Sequence, residues 1–131
     1  MSDPHDLFEA AKAAMAKAYA PHSNFPVGAA IRSAGGAIYS GCNVENASYP
    51  EGWCAETSAI AQMVGAGERA IIEVAIVAGK VACIPPCGGC RQRIREFGTA
   101  DTRIHLCDAT GVVETVTLGE LLPRAFGPEG R

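Results

Sequence analysis

The sequence predicts an α/β fold, a single layered domain over residues 1–131 around a mixed sheet of about five strands. Three observations lead there. Segments with helical apolar spacing alternate with short β-branched runs. Two of those runs flank Gly35-Gly36, a pair able to take positive φ in a hairpin turn. The most apolar run, Ile71 to Gly79, is broken only by Glu73, as suits a buried central strand.

The elements follow in order. Ser2-Asp3-Pro4 supplies a cap and a first-turn proline, and Leu7, Phe8, Ala11, Met15 and Tyr19 recur at helical spacing, so a helix is predicted over 3–20. Strands at 27–33 and 37–42 form the hairpin. Residues 43–53 have no periodicity and carry Asn, Gly and Pro, a loop long enough to suspect a function. A helix is predicted over 55–64, ended by Gly65-Ala66-Gly67. The central strand at 71–79 comes next, then a short helix over 88–97 after Pro85-Pro86. Strands at 103–107 and 112–117 enclose the turn Asp108–Gly111, and a last helical turn covers 118–122.

Composition narrows the function. With 131 residues, 48% hydrophobic and 19% charged, the chain is neither a disordered tail nor a linker. A net charge of −3 argues against broad contact with nucleic acid or anionic lipid. The apolar runs fall short of a membrane span, and Asp3, His5, Asp6 and Glu9 stand where a signal peptide has a basic region. A cytoplasmic protein is therefore expected. Its six cysteines then suggest thiol or metal chemistry rather than a disulfide framework.

Two fragments carry that chemistry: Cys54-Ala55-Glu56 and Pro86-Cys87-Gly88-Gly89-Cys90. Each begins where a helix is predicted to start, and helix N-termini favour thiolates. Cys87 and Cys90 are three apart and can face one point, and Cys54 can add a third sulfur. Three protein ligands with an open fourth position make a catalytic zinc pattern. Glu56 lies about 200° around a regular helix from Cys54. Cys54 is therefore expected at the helix boundary and Glu56 in the first turn, beside the reacting water rather than on the metal. Taken alone, the C-x-x-C could equally be a redox dithiol, part of a zinc ribbon, or two core cysteines.

Together the fragments match the zinc deaminase pattern, a ligand-x-Glu followed by P-C-x-x-C. From about Tyr19 to Phe126 the chain resembles the small, homotetrameric cytidine deaminases, through SNFPVGAA (23–30), GCNVENASYP (41–50), CAE (54–56) and PCGGCRQ (86–92). The resemblance implies a three-layer α/β/α fold, one Zn²⁺ per subunit, and hydrolysis of cytidine and deoxycytidine to uridine and deoxyuridine with ammonia release, a pyrimidine-salvage reaction. It assigns zinc to Cys54, Cys87 and Cys90, and proton transfer to Glu56. Asn43 and Glu45 match the positions that hold the ribose hydroxyls, Phe25 one that packs on the nucleoside, and Ala55 one whose backbone meets the base. Tyr49 and Phe126 resemble residues lent across subunits of a homotetramer. Arg91, beside Cys90, resembles a charge-compensating arginine. The resemblance implies a small-molecule partner, with neither nucleic acid nor membrane.

The sequence departs from the family at Thr57, where an arginine commonly follows C-A-E; three thiolates are then left with one cation fewer. Two alternatives stand beside this reading. A structural zinc or nucleic-acid module predicts a fourth protein ligand and a basic face. A deaminase of another substrate is the second: one acting on polynucleotides predicts a positively charged groove, and one acting on a nucleoside-like antibiotic predicts a different segment in place of Asn43-Val44-Glu45. His5, His22 and His105 lack ligand spacing and are expected at the surface or partly buried. Cys42, Cys83 and Cys107 are expected as small buried hydrophobes.

Overall fold

The computed structural model describes residues 3–128. Asp3 caps the first helix, α1 (Pro4–Met15), by accepting from the His5 N–H at 2.9 Å; Ser2 lies outside the described residues. The helix ends five residues earlier than its apolar spacing predicts. Tyr19 is taken by a different partner: its N–H donates to the Asn43 carbonyl at 3.0 Å and its carbonyl accepts from Glu45 at 2.9 Å. That backbone pairing cannot coexist with a helical Tyr19.

The hairpin pairs β1 (Val27–Ser33) with β2 (Ile38–Cys42), turning through Gly36 at φ 93°. After the 43–53 loop come α2 (Ala55–Gly65), β3 (Ile71–Ala78), α3 (Gly88–Phe97), β4 (Arg103–Asp108), β5 (Gly111–Thr117) and the short α4 (Leu118–Leu121). The five strands form one mixed sheet in the order β2-β1-β3-β4-β5. β3 and β4 run parallel, joined through α3, and the other neighbours are antiparallel.

Alternation along the central strands divides the core in two. Ile31, Val74, Ile76, Ile104 and Leu106 face α2 and α3 with Ala59, Met63 and Ile94. Ala30, Ala75, Val77 and Cys107 face Leu7, Phe8 and Ala11 of α1. The architecture is thus α/β/α in three layers. Small residues let the outer helices sit close. A Cβ on Gly28 would stand 2.0 Å from the Ala11 carbonyl oxygen, and one on Gly41 would stand 2.5 Å from the Ala59 nitrogen. Among the described residues no helix is long and apolar enough to cross a membrane.

One expectation fails on the α1 side of the sheet. His105 is only 2% exposed, with Nε2 2.7 Å from the buried Glu73 carboxylate. Its place on β4, two residues before Cys107, turns it toward α1. The same carboxylate accepts from Arg32 Nε of β1 at 2.9 Å. Of the three non-motif cysteines, Cys107 is buried and Cys42 and Cys83 are half-buried.

Candidate active site

Two helix starts build the site. Cys54 and Cys87 are the N-caps of α2 and α3, both with extended backbone and neither side chain spent on a capping hydrogen bond. Their sulfurs are therefore available to face a common point, which Cys90 reaches from the first turn of α3. The three sulfurs lie within 4.8 Å of one another. Pro85 and Pro86 before α3, and the Val44–Trp53 bridge before α2, deliver the chain in extended form to both caps.

A cavity of about 340 Å³ opens onto this cluster, lined by Cys54, Cys87, Glu56, Ala55, Asn43 and Phe25, with Ile76 and Ile84 closing its apolar side. Glu56, in the first turn of α2, is almost wholly buried. Burial raises its carboxyl from the ordinary 4.5 to about 7, and the Cys54 charge pushes the same way. Among the thiols, a hydrogen bond from Cys90 brings Cys54 down to about 6. Cys90, as the donor in that bond and itself buried, is shifted strongly upward.

The 43–45 segment divides between two hollows. Asn43 faces the main cavity, its Oδ1 accepting from the Val27 N–H and its Nδ2 donating to the Phe25 carbonyl, both at 2.9 Å. One N–H and one lone pair remain on the amide. Glu45 faces an adjoining hollow of about 270 Å³ with His22, Ser23 and Tyr49. It accepts from the His22 N–H at 2.9 Å, the Ser23 N–H at 3.0 Å and the Ser23 hydroxyl. Those bonds, the Ser23 hydroxyl's first, hold its pKa below the usual carboxylate range. Three of roughly four acceptor positions are taken, leaving one for an incoming hydroxyl. Ser23 lines both hollows and joins them; nothing in its own residue type marked it in the sequence.

Three predicted residues stand outside the main cavity. Tyr49 sits on a 3₁₀ turn (Tyr49–Glu51) at the rim, 76% exposed, its ring edge-on to His22. Phe126 is 87% exposed and outside the cavity, its carbonyl accepting from Gln92 Nε2 at 2.6 Å. Arg91 turns away from the sulfurs: Nε donates to the Pro86 carbonyl at 2.8 Å and Nη1 to the Leu121 carbonyl at 2.9 Å. The guanidinium that reaches a sulfur is that of Arg93, with Nη1 3.8 Å from Cys90 Sγ. Thr57 Oγ1 lies 3.9 Å from the same sulfur. The i, i+3 spacing puts Arg93 within reach of Cys90 on one helix face, and the carbonyls of Pro86 and Leu121 take Arg91 out of the contest.

The family described as the cytidine and deoxycytidylate deaminase zinc-binding region matches residues 1–106. The chain belongs to this deaminase family. A cytidine deaminase of Sporosarcina psychrophila is 41% identical over 127 residues, covering 97% of this chain and 93% of the relative. The crystal structure of cytidine deaminase from Burkholderia pseudomallei superposes with a TM-score of 0.89 at 45% identity, covering 95% of this chain and all of that one. The Mycobacterium tuberculosis cytidine deaminase structure gives 0.86 at 38% identity, covering 98% and 100%.

The donor set fits the deaminase zinc. Sulfurs about 2.3 Å from a tetrahedral zinc stand roughly 3.8 Å apart, inside the 4.8 Å spread of Cys54, Cys87 and Cys90. Among the described residues the group holds three soft ligands and no fourth, and two of them, Cys54 and Cys87, line the cavity.

Proposed function

We propose that the protein hydrolyses cytidine and deoxycytidine to uridine and deoxyuridine, releasing ammonia, with one zinc per subunit held by Cys54, Cys87 and Cys90. One observation carries the reading: Glu56, a buried carboxyl raised to about 7, lines the same cavity as Cys54 and Cys87. An acid poised near neutrality can both take and return a proton. Zinc, when bound, supplies Lewis-acid activation of water.

Glu56 takes one proton from the attacking water and passes it to pyrimidine N3, then takes the second from the hydroxyl now on C4, which becomes the carbonyl, and gives it to the departing amino group. Water adds at C4, the C4–N bond breaks, and ammonia departs. The Ala55 backbone meets the base and Phe25 packs on the nucleoside. Asn43 and Glu45 hold the ribose with the hydrogen-bonding capacity their protein partners leave over. The first-turn N–H groups of α2 and α3 steady negative charge near the sulfurs.

We infer further that four copies assemble and lend Tyr49 and Phe126 to neighbouring pockets. The support is their exposure: two large aromatic rings left in water in the single chain. A cytoplasmic setting agrees with six free cysteines, since zinc ligation needs reduced thiols.

The test is ammonia release by the purified protein from cytidine, deoxycytidine, adenosine and cytosine. Turnover of the first two alone is expected. Absence of release from both, in protein carrying stoichiometric zinc, overturns the assignment.

A further inference from the structure

Cys90 is the most enclosed of the three sulfur ligands, and two side chains approach it from opposite helices. Thr57 on α2 brings a hydroxyl to 3.9 Å, and Arg93 on α3 brings a guanidinium nitrogen to 3.8 Å. The room for that guanidinium comes from Gly89: a Cβ there would stand 3.2 Å from Arg93 Nη1. Three thiolates and one dication leave a net negative charge, and a neighbouring cation offsets it. Arg91, the expected source, is committed to the carbonyls of Pro86 and Leu121.

We propose that Arg93 is the positioning residue of the zinc site, fixing the Cys90 sulfur in place and supplying from α3 the positive charge that Thr57 does not supply from α2. The inference rests on the zinc reading of these cysteines. Arg93 is not among the residues that line the cavity. It acts through Cys90, by adding an N–H donor to a sulfur lone pair and a positive charge to the anionic cluster. Its own side chain is reached by solvent, so its effect is screened by salt.

The test is a charge series at residue 93 in the zinc-loaded protein, with zinc affinity measured by competition against a chromogenic chelator. Groups that support a metal ligand typically contribute 10–100-fold in affinity or activity. Arg93→Lys should stay within a few-fold of the parent, Arg93→Gln should bind zinc about tenfold more weakly, and Arg93→Glu more weakly still. The Arg–Gln difference should shrink between about 0.05 M and about 1 M salt, where the screening length falls to ~3 Å.

A cation returned from the other helix should substitute. Arg93→Gln combined with Thr57→Arg should recover most of the lost affinity, which no purely structural role for Arg93 predicts. A flat series at residue 93 overturns the proposal, whether or not the double variant folds. So does a series that ignores salt, or a folded double variant that binds zinc no better than Arg93→Gln. Because the readout uses protein and metal without nucleoside, failure of this inference is distinct from failure to deaminate cytidine.

Discussion

Replacing Glu73 by glutamine should be among the most damaging single changes outside the site. The carboxylate is fully buried on β3, accepts from Arg32 Nε at 2.9 Å, lies 2.7 Å from His105 Nε2 and has Arg103 Nη2 at 3.6 Å. Arg32 is itself only 11% exposed and sends a second N–H to the Asp3 carbonyl at the start of α1. His105 continues the chain to Thr115 Oγ1 on β5 at 2.8 Å. One charge therefore ties four strands and the first helix together.

Removing one partner of a buried ion pair typically costs ~3–5 kcal/mol, because the other charge stays desolvated. Glutamine keeps the shape and one acceptor, which places the expected loss near the lower end, ~3 kcal/mol. Unfolding entropy near ~2.1 cal/mol/K per residue converts that into a fall in Tm of about 10 °C for 131 residues. The assay is urea and thermal unfolding of the zinc-loaded protein, with the m-value unchanged. Adding Arg32→Met to Glu73→Gln removes the stranded charge and should recover much of the loss. A cost below ~1 kcal/mol for Glu73→Gln, or a double variant no more stable than the single, refutes the ion-pair reasoning.

The site yields four further expectations. Alanine at Cys54, Cys87 or Cys90 should abolish both zinc retention and turnover; metal analysis finding full zinc in any of the three removes that cysteine from the ligand set. Glu56→Gln should keep zinc while lowering kcat by ~10²–10⁴. In chelator-treated protein the same change should stabilise. The buried carboxyl sits near 7 rather than 4.5, so its ionisation costs up to ~3 kcal/mol above neutrality and nothing well below its unfolded pKa. The variant's advantage must therefore grow as pH rises through that window. Equal advantages at about pH 5 and about pH 8 would contradict it. Glu45→Gln should raise KM for nucleosides more than it lowers kcat, since the carboxylate's one spare acceptor is its contribution to the sugar; an unchanged KM excludes it from binding. Phe126→Ala should weaken assembly and activity together, and sedimentation showing an unchanged tetramer with full activity sinks its place in a neighbouring pocket.

Much of this was legible because it is local. A Gly-Gly pair must turn, a cysteine before a helical run falls at its N-cap, and C-x-x-C across a helix start points two sulfurs one way; none of these needs a distant residue. The sheet's five strands were legible for the same reason, each announced by its own apolar run and turn residues. Other features belonged to residues far apart in sequence. Met15 ends α1 because Tyr19 gives its backbone to Asn43 and Glu45. His105 is buried because Glu73, across the parallel β3–β4 pairing, offers it a carboxylate. Asn43 and Glu45, two residues apart, face adjoining hollows because Ser23 captures the glutamate. Arg93 rather than Arg91 meets Cys90 because Pro86 and Leu121 present carbonyls that draw Arg91 away. Residue type and spacing determined which groups could ligate zinc or move a proton. Which cation, which hollow and which histidine were enclosed depended on partners brought near only by folding, since hydrogen bonds and charge pairs act over a few ångströms of space whatever the distance along the chain.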